Sequence, residues 1–218
     1  MEPTSPTTPD SAPSLNQTPR TRWRELIGSA LFESIFVVLG VVLAYAANEW
    51  RETRLHRAEA ASAKHAIANE LRANRELAST SRTYHQQLMG ALWQRDPKGP
   101  PPSPGDFRGG FINPAQLSMT AWEVASETGV LQHMPYTEVL AVSQAYALQR
   151  RYDAMALSSG QLMYGELYRA GPNGIAANYR NLASIIAAFS YREELLIRKI
   201  DSTLAILDSK PAAPTAAR

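Results

Sequence analysis

Residues 26–47 read LIGSALFESIFVVLGVVLAYAA. As a helix these 22 residues rise about 33 Å, enough to cross the ~30 Å hydrocarbon core of a bilayer. Glu33 is the single charge inside the stretch. Arg20, Arg22, Trp23 and Arg24 flank one end, and Trp50, Arg51 and Arg54 flank the other. Aromatic and basic side chains at both ends are what a span uses to anchor at two interfaces, with Trp23 and Trp50 as the anchors. A cleaved signal peptide would use Ala44-Tyr45-Ala46 as its site, but the long polar tail before the basic residues, the length of the run and Glu33 speak against it. A buried helix of a soluble domain fits worse, because 34–47 has no polar face to leave in water. A retained single span is the reading.

Within the span, Glu33, Gly40 and Ala47 lie seven apart, and Gly40-x-x-x-Ala44 is a small-x-x-x-small pair with Asn48 one turn on. Small residues let helices approach closely, and a polar group on the same seam can hydrogen-bond a partner. Glu33, Gly40, Ala44 and Asn48 are therefore the helix-association candidates. An ionised carboxylate facing lipid costs about 2.5 kcal/mol or more, so Glu33 belongs near the interface, protonated, or against protein. Three Arg precede the span closely, and Arg51, Arg54, Arg57 and Lys64 follow it. That difference does not fix orientation. Treated as a signal anchor, the span places the N-terminus inside a bacterial inner membrane and the following domain in the periplasm.

Outward from the span, residues 1–22 form a Pro/Thr/Ser-rich tail that cannot bury a core and is expected to be disordered. The membrane helix with its interfacial ends takes 23–50. From Asn48 to Trp93 there is no proline. Ile67, Leu71, Asn74, Ala78, Ser81, Tyr84, Leu88 and Leu92 recur at spacings of three and four, predicting a juxtamembrane helix over 51–94. With no breaker between them, span and helix read as one rod on the order of 100 Å long. Residues 95–114 are a Pro/Gly loop. The remaining helices occupy 115–208: a short one over 115–128 ended by Gly129, a long one from Pro135 or Tyr136 to Gly171-Pro172, and a last one capped by Asn173. The long helix has Val139, Val142, Tyr146, Tyr152, Met155, Leu162 and Leu167 on its apolar side. Residues 209–218 form a frayed end. No run of alternating β-branched residues stands outside the span, so the fold class is all-α: one transmembrane helix continuing into an extramembrane antiparallel helical bundle.

The composition excludes several functions. Twenty-two basic against 20 acidic residues give a net charge of +2 with no long basic face, so nucleic acid is not an expected partner. The absence of cysteine rules out disulfides and thiolate metal sites. Glu52 and His56 lie one turn apart, but a lone Glu-x-x-x-His pair is a poor metal site and reads as a solvated juxtamembrane pair. No nucleophile elbow, zinc-protease motif or phosphate loop occurs, and Gly109-Gly110 follows no strand. Trp122, Tyr136, Tyr146, Tyr152, Tyr164, Tyr168 and Tyr179 can line a pocket between helices, though packing is the commoner use of such residues. No catalytic residue, cofactor or metal is expected.

The sequence FESIFVVLGVVLAYAANEWRETR, followed by NELRANREL, resembles a group of uncharacterised bacterial single-pass membrane proteins. In these a glutamate precedes an aliphatic run, a glycine and an alanine follow, Asn-Glu-Trp marks the exit, and a Glu-Leu-x-x-Asn helix comes next. Glu33, Gly40, Ala44, Asn48, Glu49 and Trp50 match the first part, and Glu70, Leu71 and Asn74 the second. AWEVASETGVLQHMP is similar to the group's short helix ending in Thr-Gly-x-Leu. The resemblance implies membership but no activity. The expected function is an anchored interaction or scaffold protein, partnered by the bilayer and by a second copy or another membrane protein. The alternatives are a ligand-sensing periplasmic bundle and an accessory subunit of an ion-driven complex using Glu33.

Overall fold

The computed structural model describes residues 20–107 and 109–209, with side chains described at 32 and from 34 onward. Every regular element among them is helical: α1 (Arg20–Trp93), α2 (Thr120–Glu127), α3 (Tyr136–Ala177) and α4 (Tyr179–Asp208), with 3₁₀ turns at Pro104–Phe107 and Val130–His133. The chain divides into two compact units, Met1–Thr53 and Arg54–Arg218. Residues 1–19 and 210–218, which hold most of the two expected tails, lie outside the described residues.

In the first unit, the described part of α1 is apolar and uncovered. From Phe32 to Tyr45 it exposes large side chains on every face, including Ile35, Val38, Val41 and Leu43. α1 is long and apolar enough from Ser34 onward to cross a membrane.

In the second unit, α1 changes character. The stripe read from the sequence faces inward: Ile67, Leu71 and Ala78 are fully buried, and Asn74, Ser81, Leu88 and Leu92 nearly so. Two clusters form the core. One joins Ile67, Leu71, Val142, Tyr146, Phe189, Leu196 and Ile200, drawing on α1, α3 and α4. The other joins Leu88 and Leu92 with Phe107, Ile175, Leu182 and Ile186. Polar pairs edge the core, with Arg72 meeting Asp208 at 2.9 Å, Arg75 meeting Asp201 and Arg82 meeting Glu194 at 3.0 Å.

Three expectations need correction, and one is met. The short helix over 115–128 begins only at Thr120, because the backbone of Ser118 is held by side chains from α1 and α3. The long helix does break at Gly171-Pro172, as read: the backbone leaves the helix at Gly171 (φ 67°, ψ 179°), and a short helical stretch resumes through 172–177. Proline fits the first turn of such a restart, where its missing N–H is no loss. The last helix is therefore not capped by Asn173, because it begins after Asn178, where the backbone breaks a second time. Leu162 is 73 % exposed and lies off the core face of α3.

Candidate functional site

The Glu-Leu-x-x-Asn stretch of α1 organises one side of the second unit. Leu71 fills the core, while Glu70 and Asn74, one turn apart, reach the segment leading into α2. Asn74 receives the Ser118 N–H at 2.9 Å and donates to the Ser118 carbonyl at 2.7 Å and to Gln149 Oε1 at 3.1 Å. Gln149 Nε2 donates to the same carbonyl at 2.9 Å. Met119, in the N-cap position of α2, makes no side-chain cap. Glu70 replaces it, accepting the Ala121 N–H at 3.0 Å, Ser118 Oγ at 2.6 Å and Tyr146 OH at 2.6 Å. A carboxylate suits that position because it meets unpaired N–H groups and the positive end of the helix dipole. Burial raises the Glu70 pKa, but hydrogen bonds from Ser118, Tyr146 and the backbone outweigh it and hold the carboxyl below its ordinary value. Burial, then the Glu70 charge, pushes the Tyr146 hydroxyl far up.

A second polar group is sealed in the core. His85 and Glu193 are both fully buried. The Asn113 N–H donates to His85 Nε2 at 3.2 Å, so that nitrogen carries no proton. His85 Nδ1–H therefore donates to Glu193, 3.0 Å from each oxygen. Tyr152 OH also donates to Glu193, at 2.8 Å, and accepts the Ala115 N–H at 2.9 Å. Ser81 Oγ donates to the Asn113 carbonyl. Burial, reinforced by the Glu193 charge, raises the Tyr152 hydroxyl well above its ordinary value. Every polar atom here is committed, and the group pins residues 113–115 to α1, α3 and α4. Beside it, Tyr84 OH donates to the Gly110 carbonyl. A Cβ at Gly109 would lie 2.6 Å from the Tyr84 ring, so only glycine lets that ring lie against the loop. Gly109-Gly110 thus serves packing.

A cavity of about 780 Å³ opens between α1, α2 and the turn Val130–His133. Its size falls in the ~300–1,000 Å³ range of small-molecule sites. Glu70 lines it at one position of α1 and His56 at another, 14 residues or about 21 Å of helix apart. His56 and His133 stack face to face, 4.1 Å between centroids and 10° from parallel. His56 Nδ1 lies 3.3 Å from Glu59 Oε2. Parallel rings cannot both aim lone pairs at one ion, and among the described residues no group of three His, Asp or Glu can hold a metal.

The residues singled out from the sequence are scattered by comparison. Gly40, Ala44, Asn48 and Trp50 sit on exposed surface of α1, with open space around a Cβ at Gly40. The side chains of Glu33 and Trp23 lie outside the described residues. Tyr146 and Tyr152 are core residues, the packing use favoured from the sequence, and Tyr136, Tyr164 and Tyr168 are 78, 75 and 96 % exposed, so these tyrosines do not converge on one pocket. Sequence reasoning missed His85, Gln149 and Glu193. Glu193 had a signal: it falls between Phe189 and Leu196 on the apolar face of α4, where a carboxylate needs a buried partner. No family model matches the chain, and no curated protein or solved structure is similar to it.

Proposed function

We propose that this chain is a single-pass protein of a bacterial inner membrane that works as an anchored interaction or scaffold module and not as an enzyme. The observation that carries this is the uncovered surface of α1, where ten large apolar side chains stand exposed from Phe32 to Tyr45. Leaving them in water forgoes on the order of 20 kcal/mol of burial, which a bilayer supplies. In this reading the N-terminus is inside and the Arg54–Arg218 unit is periplasmic. That unit is an antiparallel bundle, supported by pairs that run in opposite order along α1 and α4: 72 with 208, 75 with 201, 82 with 194, 85 with 193. Membership of the group that the Glu33–Trp50 and Glu70–Asn74 pattern resembles belongs to the same proposal. It is supported by the capping role of Glu70 and Asn74, which gives the second half of the pattern a physical reason.

Self-association runs along the seam Glu33–Gly40–Ala44–Asn48. Support comes from the exposure of the last three and the open space at Gly40. Two experiments test the proposal. A reporter pair fused after Ser209 is expected to be active as a periplasmic fusion and silent as a cytoplasmic one. Cross-linking in native membranes is expected to give a dimer band that Gly40→Ile or Glu33→Ala removes; an unchanged band contradicts the seam.

A further inference from the structure

We propose that the cavity between α1, α2 and the turn Val130–His133 binds a small organic amine, an apolar body carrying a protonated nitrogen. The site is independent of the scaffold role and of the membrane seam. Its volume, about 780 Å³, suits a ligand of drug size. Small apolar side chains make its walls: Ala63 and Ala66 from α1, Ala121 and Val124 from α2, and Val130 from the turn. They leave width for an aliphatic or aromatic body.

The charge on the lining chooses the head group. Glu59 and Glu70 line the cavity, and no Lys or Arg is among the lining residues. A phosphate or carboxylate ligand would meet two carboxylates with no cation opposing them. Glu70 is taken up by Ser118, Ala121 and Tyr146, so it sets the field without being the ligand's partner. Glu59 is the partner. Its side chain is 64 % exposed beside His56, which leaves it able to turn toward an ammonium. The stacked rings of His56 and His133 form a flat surface at the same position.

The test uses the full chain in lipid nanodiscs at pH 8, with empty nanodiscs as the blank. Three probes share one apolar body and differ in the head: 4-phenylbutylamine, 4-phenylbutanol and 4-phenylbutyrate. Saturation-transfer NMR titrations are expected to rank them amine, alcohol, acid, with the amine about twofold to fivefold tighter than the alcohol, the scale of an exposed charge pair. Glu59→Gln is expected to bring the amine to the affinity of the alcohol and leave the alcohol unchanged. Ala66→Phe fills the cavity from one wall, and Val124→Trp from the other; both positions are exposed, so the core is spared. Each is expected to abolish binding of all three probes at unchanged melting temperature. Acid binding as tight as amine overturns the ligand class. Absence of binding above the blank, or binding that survives both filling variants, overturns the site.

Discussion

The two stretches of α1 solve opposite solvent problems with one backbone conformation. Over 34–47 the helix is apolar on every face and buries nothing within the chain. Over 67–92 it is charged on the outside and buries a stripe in which Asn74, Ser81 and His85 alternate with Ile67, Leu71, Ala78 and Leu88. A helix satisfies its own backbone groups, so either environment suits it. What differs is where side-chain polarity is spent. The first stretch has almost none. The second carries it on both sides, and its buried Asn74, Ser81 and His85 each bond backbone of the 113–118 segment.

The comparison predicts unequal responses to substitution, read by thermal and denaturant unfolding of the detergent-solubilised chain. The largest loss is expected from Glu193→Ala. It strands the His85 Nδ1–H and Tyr152 OH in the core and breaks a buried pair, costing about 3–5 kcal/mol. Next comes Leu71→Ala, which opens a cavity at a fully buried position and costs about 2–5 kcal/mol. Leu39→Ala, on the uncovered stretch, is expected to change unfolding of the second unit by no more than about 0.5 kcal/mol. Equal effects from Leu71 and Leu39 would erase the distinction between the stretches.

Smaller effects test the clamp on α2. Asn74→Ala strands the Ser118 N–H and leaves the Ser118 carbonyl to Gln149 alone, and is expected to cost about 1–3 kcal/mol. Trp122, which stacks on Tyr146 at 5.6 Å, reports the loosening of α2 by fluorescence. Glu70 supplies the pH dependence. Its folded carboxyl titrates below its unfolded value, so its contribution to stability is present at neutral pH and lost as pH falls through the acidic carboxylate range. Glu70→Gln is expected to flatten that acid limb. The Tyr146→Phe change removes one of the hydrogen bonds that hold the carboxyl low and is expected to move the limb to higher pH. An acid limb unaltered in both variants contradicts the assignment.

How much of this was readable in the residues follows from the same physics. The apolar run and the stripe from Ile67 to Leu92 were legible because each repeats over many residues, and periodicity survives local exceptions. The start of α2 was not. Ala115 to Met119 carry acceptable helix formers, and side chains distant in the chain, at Glu70, Asn74, Gln149 and Tyr152, hold that backbone out of the helix and cap it. Leu162 was misplaced because its spacing fits the α3 face, whereas the packed part of that helix falls mainly on Val142, Tyr146 and Tyr152. The cavity had no local signature at all. Its walls are alanines and valines from two helices and a turn, and its most distinctive feature, the His56–His133 stack, joins residues 77 positions apart.

The absence of cysteine allows the central claim, that one helix serves lipid and then a packed domain, to be measured on a clean background. Single cysteines at Val37, Val41 and Tyr45, and at the exposed outer positions Arg57, Asn69 and Gln86, are treated with a water-soluble maleimide in intact membranes. The account predicts that the first three stay unlabelled until detergent is added while the last three react freely in water. Labelling of Val37, Val41 and Tyr45 as fast as that of Arg57 would contradict it.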